Sequence, residues 1–297
     1  MDDQDVVTQQ ATGVTTTSNI RPAFTKRLSS WNVVEQAAGT AQFKIRDTFA
    51  LPDAPSAAEG AAGNGTAGLH MFAITWVTAH GESFLGSLVE LTIAASKKAE
   101  LTNIPVAKPG GIVDVNAIVG RRVYETKAGA PGTGVTPTSA QWFRVVDDFA
   151  TTCAAGMAAI SLPQASITVA STTGFAADGN ILVTTTDGIQ VVKYTSVDAT
   201  HFLGCTGGSG LMTSGGAVSQ PAIGDNTKTT FSANVADASL VNTRPSTQDK
   251  AGPRVAGMKL AAGESVDVDS KSIDLKNGGG PYMEIVSGTV DWVLRGN

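Results

Sequence analysis

The alternation of apolar and polar positions is clearest from Leu69 to Ala95, LHMFAITWVTAHGESFLGSLVELTIAA. Met71 to Thr78 is a run of β-branched and aromatic residues, His80-Gly81-Glu82-Ser83 is a polar turn, and Leu88 to Ile93 opens a second run. This pattern predicts two strands and a tight connection. Phe72, Ile74 and Trp76 alternate with Ala73, Thr75 and Val77, so the first set is expected to face a core and the second to be half covered. The same period recurs in AQFKIRD, where Phe43 and Ile45 should point inward and Gln42, Lys44 and Arg46 outward. Further strands are predicted at Arg27 to Val34, Ala99 to Ile104, Ile118 to Glu125, Gln141 to Asp147 and Asn226 to Val235, and in the chain after Met258.

Small residues and prolines mark the joints. Ala50 to Gly68 reads as a Pro/Ala/Gly linker, Lys127 to Ser139 as a long Gly/Pro/Thr loop, and Thr243 to Pro253 as a second linker. Phe149 to Ile160 has the composition of one or two helical turns, weakened by Gly156. Ser161 to Gln220 reads as a separate compact unit, with Asp187-Gly188 as a hairpin turn between two β-rich runs. Met1 to Asn19 is polar, Thr-rich and without period. Two readings of it stay open: an arm lying on a neighbouring subunit, or a segment packed on its own domain.

Composition adds a fold class and some exclusions. The 297 residues allow two or three domains, and 16% charged residues with abundant Gly, Ala, Ser and Thr favour an all-β chain of short strands. A net charge of −5 argues against a nucleic-acid surface, which needs a basic face. Cys153 and Cys205 have no metal-ligand spacing and are expected to be free thiols of a protein made in a reducing cytoplasm. The acidic start is the reverse of a signal peptide, and no apolar run has the length of a membrane span. Asn64-Gly65-Thr66 is then expected to be a turn.

Candidate chemistry is sparse. His70, His80 and His201 occur singly and are expected at the surface or in turns. Asp267, Asp269 and Asp274 lack the glycine of an EF-hand loop, and Asp147-Asp148, adjacent in a strand, should point to opposite faces. The glycines of GCTGGSG, Gly204 to Gly210, lack the ending of a phosphate loop and read as turns, and Ser83 lacks the nucleophile-elbow spacing. Trp31, Trp76, Trp142 and Trp292 fall one to a strand, as core or interface anchors do. No catalytic, cofactor-binding or metal-ligating residue is assigned, no cofactor is called for, and a non-enzymatic chain is expected.

Three sets of residues carry a resemblance. LPDAPSAAEGAAGNGTAG with FAITWVTAHGESFLGS, AELTNIPVAKPGG, GRRVYETKAG and WFRVV, resumed by TTFSANVADASL at Thr229 to Leu240, resembles the Ig-like or fibronectin-III-like module of tailed-bacteriophage virion proteins. The intervening SLPQASITVASTTGF to HFLGCTGGSG resembles a small β module of phage structural proteins. TAQFKIRD and KLAAGESVDVDSKSIDLKNGGGPYMEIVSGTVDWVL resemble the two parts of a β-sandwich seen on phage particles. The resemblance implies nested β-sandwich domains: an arm at 1–19, a terminal sandwich of 20–50 with 254–297, an Ig/fibronectin-III-like sandwich of 51–148 with 221–243, an inserted β domain at 156–220, and a linker at 244–253. It implies a structural protein of a double-stranded DNA phage virion, made in the bacterial cytoplasm, most simply a capsid decoration protein on the exterior. Its partners would be major capsid or tail proteins and copies of itself, with no nucleic acid and no membrane. A tail, collar or baseplate component or fibre adaptor is the alternative. An adhesin binding a host-surface glycan or receptor, through the tryptophans and the Lys127 to Ser139 loop, is the reading from another class.

Overall fold

The computed structural model describes residues 7–14, 28–35, 41–106, 118–129, 141–224, 227–243, 254–260, 265–269, 278–287 and 290–296. Among them the chain is all-β, with strands and single 3₁₀ turns and no α-helix. In chain order the strands are β1 (Val7–Val14), β2 (Leu28–Glu35), β3 (Ala41–Phe49), β4 (Ser56–Gly65), β5 (Gly68–Thr78), β6 (Gly81–Glu82), β7 (Val89–Ile93) and β8 (Lys97–Thr102). They continue with β9 (Ile118–Glu125), β10 (Phe143–Arg144), β11 (Phe149–Thr152), β12 (Ser166–Thr168), β13 (Gly179–Thr185), β14 (Gly188–Tyr194), β15 (Ser196–Val197) and β16 (His201–Leu203). The last are β17 (Ala217–Gln220), β18 (Phe231–Ala233), β19 (Arg254–Leu260), β20 (Ser265–Asp269), β21 (Gly278–Ser287) and β22 (Val290–Gly296).

The chain divides into two compact units. The first joins the two chain ends, and its described strands form antiparallel sheets of order β1-β22-β2-β20 and β19-β3-β21. β3 is the centre of the smaller sheet, with Phe43 opposite Met258 on one side and Ile285 on the other. Of the two readings of the N-terminal segment, Val7–Val14 follows the packing on its own domain: it is the edge strand of this unit's sheet, Ala11 opposite Trp292 and Val7 opposite Gly296. Main-chain pairing to one neighbour suffices to order so polar an edge strand. Asp274 and most of the loop from Lys127 to Ser139 lie outside the described residues.

The second unit holds a sandwich and an insert. In the sandwich, β5 runs through the middle of the sheet β10-β9-β5-β6, with β7 also on β5, and the sheet β18-β8-β4 packs against it. The expected β5 and β7 pair from Gly68 opposite Ile93 to Phe72 opposite Val89. Their connection is longer than a tight turn: β6 folds back on Thr78, and the chain then returns along β5 through bonds from Ser83 N to Trp76 O and Gly86 N to Ile74 O. Phe72, Ile74 and Val123 meet Ala99, Leu101 and Ala233 across the two sheets. The other face of β5 is covered as well, Met71 and Ala73 packing with Tyr124, Trp142, Leu85 and Leu88. The half-covered face expected from alternation is therefore buried, because the 83–88 return and the 142–148 segment lie over it.

Two segments read as a linker and as helical turns contain strands instead. Ala50 to Gly68 contains β4, paired with β8 from Ser56 opposite Thr102, so its Ala/Gly composition marks an exposed strand and not a linker. Phe149 to Ile160 begins as β11, paired with β17, and only Ala155–Met157 makes a 3₁₀ turn. Gln141 to Asp147 shortens to the two residues of β10.

The insert begins at β11, ahead of the expected Gly156, and comprises the sheets β11-β17-β13-β14 and β12-β16-β15. Its core gathers Ile181, Val183, Val192, Phe175, Phe202 and both cysteines. The Asp187-Gly188 hairpin forms as expected, Thr185 pairing with Gly188, whose φ of +93° suits glycine. Phe149 opposite Gln220 closes the stem, and Arg121 and Ile223 exchange main-chain bonds below it.

Candidate functional site

β9 reads IVGRRVYE, and as the inner partner of β5 it buries side chains on both faces. A strand so placed cannot leave an arginine without partners. Arg122 finds two carboxylates on the outer face: Nη1 donates to Glu82 Oε2 at 2.7 Å, Nε donates to Asp148 Oδ1 at 2.9 Å, and Nη2 donates to Asp148 Oδ2. Thr75 Oγ1 donates to Glu82 Oε1 at 2.6 Å, so β5, β6, β9 and the segment after β10 meet at one polar knot. Burial opposes the charge of Arg122, but the bond from Asp148 and the charge of Glu82 outweigh it and push its pKa upward. Burial, then the charge of Glu82, raises the Tyr124 hydroxyl well above the usual phenol range. On the opposite face, Arg121 Nη1 donates to Pro105 O at 2.8 Å.

At the other end of the inner face lies His70, fully buried with Glu125. His70 Nδ1 is 2.9 Å from Glu125 Oε1 and 3.0 Å from Thr126 O, and Nε2 is 2.9 Å from Thr66 O. Burial pulls the His70 pKa down, yet the bond and charge of Glu125 with the two carbonyls raise it to about 9. Burial raises the Glu125 carboxyl too. The expectation of a surface or turn histidine fails here, because position 70 starts the buried run of β5. Nearby, Asp237 Oδ2 accepts from Ala128 N at 2.9 Å and Asp237 N donates to Thr66 Oγ1 at 3.0 Å. A polar cleft of about 570 Å³ adjoins them, lined by Gly63, Asn64, Gly65, Ser96, Asn234 and Ser239.

Of the other singled-out residues, Asp148 belongs with Arg122 and Thr66 with His70. His80 is exposed in the turn before β6. His201 Nδ1 pairs with Asp198 at 2.9 Å on the insert surface. Asp147, 62% exposed, and Asp148, 18% exposed, follow the bend after β10 and do not lie in a strand, and both approach Arg144. Ser83 Oγ accepts from Trp76 N, and its hydroxyl donates to Phe84 O. Asp267 and Asp269 lie in β20. Gly204, Gly207, Gly208 and Gly210 adopt positive φ in turns. Asn64-Gly65-Thr66 lies at the end of β4 and in the turn after it. Trp76 and Trp142 are buried, so neither serves a sugar platform; Trp31 and Trp292 lie in β2 and β22. Cys153 and Cys205 are buried free thiols, as expected, with pKa values raised by burial, that of Cys205 to about 11.

Sequence reasoning passed over Arg122 with Glu82 and Asp148, and His70 with Glu125. The signal was available in Arg121-Arg122: consecutive arginines within an apolar strand send one charge to each face, and each needs a buried partner. Among the described residues no three or more His, Cys, Asp or Glu are grouped to hold a metal ion. The arrangement neutralises buried charges and ties segments to a sheet. Fold and site together define an all-β protein of nested sandwich modules with internally paired ions. Beyond that class, no protein-family model, curated protein or solved structure matches the chain.

Proposed function

We propose that the chain is a structural component of a double-stranded DNA bacteriophage virion, a decoration protein that sits on the outside of the head and reinforces it. The observation that carries the reading is the nesting itself. The runs that resemble virion modules, AELTNIPVAKPGG and TTFSANVADASL, supply β8 and β18, which pair with Phe231 opposite Leu101 although the insert separates them in sequence. TAQFKIRD and the run from Lys259 likewise supply β3 and β21, which pair with Phe43 opposite Ile285. Such a chain presents separate modules to several neighbours, which suits assembly more than a single concave site does. Since Val7–Val14 belongs to its own sheet, the contacts with capsid proteins or other copies fall to the module surfaces.

The test is co-sedimentation of the purified protein with empty capsids. Saturable binding at a fixed ratio to the shell protein supports the reading. Absence of binding to heads together with binding to purified tails moves the protein to the tail, collar or baseplate, and binding to glycans alone overturns the structural reading in favour of an adhesin.

A further inference from the structure

We propose that His70 is a buried imidazolium that latches one end of the sandwich, and that removing its proton loosens the joint between the turn after β4, the end of β9 and the 3₁₀ turn at Asp237–Ser239. The argument begins with the ring's surroundings. Thr66 O stands 2.9 Å from Nε2, and Thr126 O and Glu125 Oε1 stand 3.0 and 2.9 Å from Nδ1. Carbonyls only accept, so each ring nitrogen must carry a hydrogen, and a neutral imidazole has only one. A neutral ring beside a protonated Glu125 would turn the Nδ1 lone pair towards the Thr126 carbonyl, a repulsive contact in a site closed to water.

The residues that hold the ring also hold one another. Thr126 N donates to Met71 O, and Met71 N donates back to Thr126 Oγ1 at 3.0 Å. Thr66, which accepts from the ring through its carbonyl, accepts from Asp237 N through its hydroxyl, and Asp237 in turn accepts from Ala128 N. One proton therefore stands between four segments: the turn at Thr66, β5, residues 125–128, and the 3₁₀ turn. Among the described residues the charges acting on the pair are Glu125 on His70, across from β9, and Asp237 on Glu125, from the 3₁₀ turn. Without the imidazolium, Glu125 would face the charge of Asp237 without the counter-charge of His70.

The sign of the pH dependence follows. The unfolded-state pKa of His70 is the ordinary 6.5 and the folded value is raised to about 9. The latch contributes fully below pH 6.5 and its contribution is lost as pH rises through about 9. Glu125, also raised, has the same sign, favouring the folded state more as pH falls.

The test uses the full chain labelled with ¹⁵N at histidine. Of three imidazoles, His70 is expected to keep both nitrogens protonated at pH 7.5, and Glu125→Gln is expected to move the His70 transition down towards neutrality. A neutral His70 ring at pH 7.5 in the wild-type protein overturns the proposal, as does a transition unmoved in Glu125→Gln. In parallel, the folding equilibrium of the wild-type sandwich is expected to fall roughly a hundredfold more than that of His70→Gln between pH 6.5 and 9.5. Equal pH slopes overturn the proposal. Should His70→Gln not fold, the wild-type ¹⁵N titration decides alone.

Discussion

The sandwich and its insert share one compact unit and are both all-β, yet they are held together by different means. The insert's interior is a continuous apolar cluster in which Phe202 meets Phe175 at 5.1 Å and Tyr194 at 4.9 Å, both edge to face. Its buried polar groups are few, and Gln220 serves the main ones, donating to Tyr194 Oη at 2.7 Å and accepting from Ala176 N at 2.9 Å. The sandwich buries ions on both faces of one sheet, His70 with Glu125 inside and Arg122 with Glu82 and Asp148 outside. An apolar core responds little to pH, whereas a core with ion pairs loses heavily if one partner is removed. The teaching of the contrast is that the sandwich places charged residues on its inner strands and must pair them where they are buried, while the insert closes its core with apolar side chains.

The largest expected effect that would break the comparison is Phe202→Ala. It should destabilise the insert by about 4 kcal/mol through lost burial and the cavity left behind. Denaturant unfolding followed by hydrogen exchange should show the loss in β13, β14 and β16 while amides of β5 and β9 keep their protection. Equal loss in both would mean that the two cores unfold as one.

Next in size is Arg122→Ala, which leaves Glu82 and Asp148 buried without their cation. A loss of about 3 kcal/mol is expected, read from the sandwich's denaturant midpoint. A variant as stable as wild type would show that the outer-face knot adds nothing to the sandwich. The smallest is Gly188→Ala in the insert hairpin. A methyl there meets nothing within 4 Å, so the cost is that of the backbone at φ +93° alone, about 1 kcal/mol. Thermal unfolding of the insert should register it, and no change at all would mean the turn relaxes to another type.

Much of this was legible in the chain. The predicted strand Ile118 to Glu125 is β9 to the residue, and Thr185 and Gly188 pair where the Asp-Gly turn was expected. Period-2 patterning works where one face is wet. It misled at β5, where Ala73, Thr75 and Val77 were read as a half-covered face; the covering segments 83–88 and 142–148 are distant or irregular and leave no periodic trace. β4 was misread for the opposite reason, since SAAEGAAGNG carries linker composition and is held as a strand by β8. Such pairing is tertiary, and propensity does not encode it. The ion pairs escaped because Glu82 and Arg122, and His70 and Glu125, are separated by 40 and 55 positions, and only the register of β5 with β9 and of β6 with β5 brings them together.

The central claim, that the chain is a structural part of a virion head, is tested most directly by its copy number in purified particles, measured by quantitative mass spectrometry against the major shell protein. Hundreds of copies in a fixed ratio to the shell protein are the predicted result. Absence from the particles would contradict it, and a handful of copies, a small multiple of three, five or six, would contradict the head-lattice placement and assign the chain to a vertex, collar, tail or baseplate.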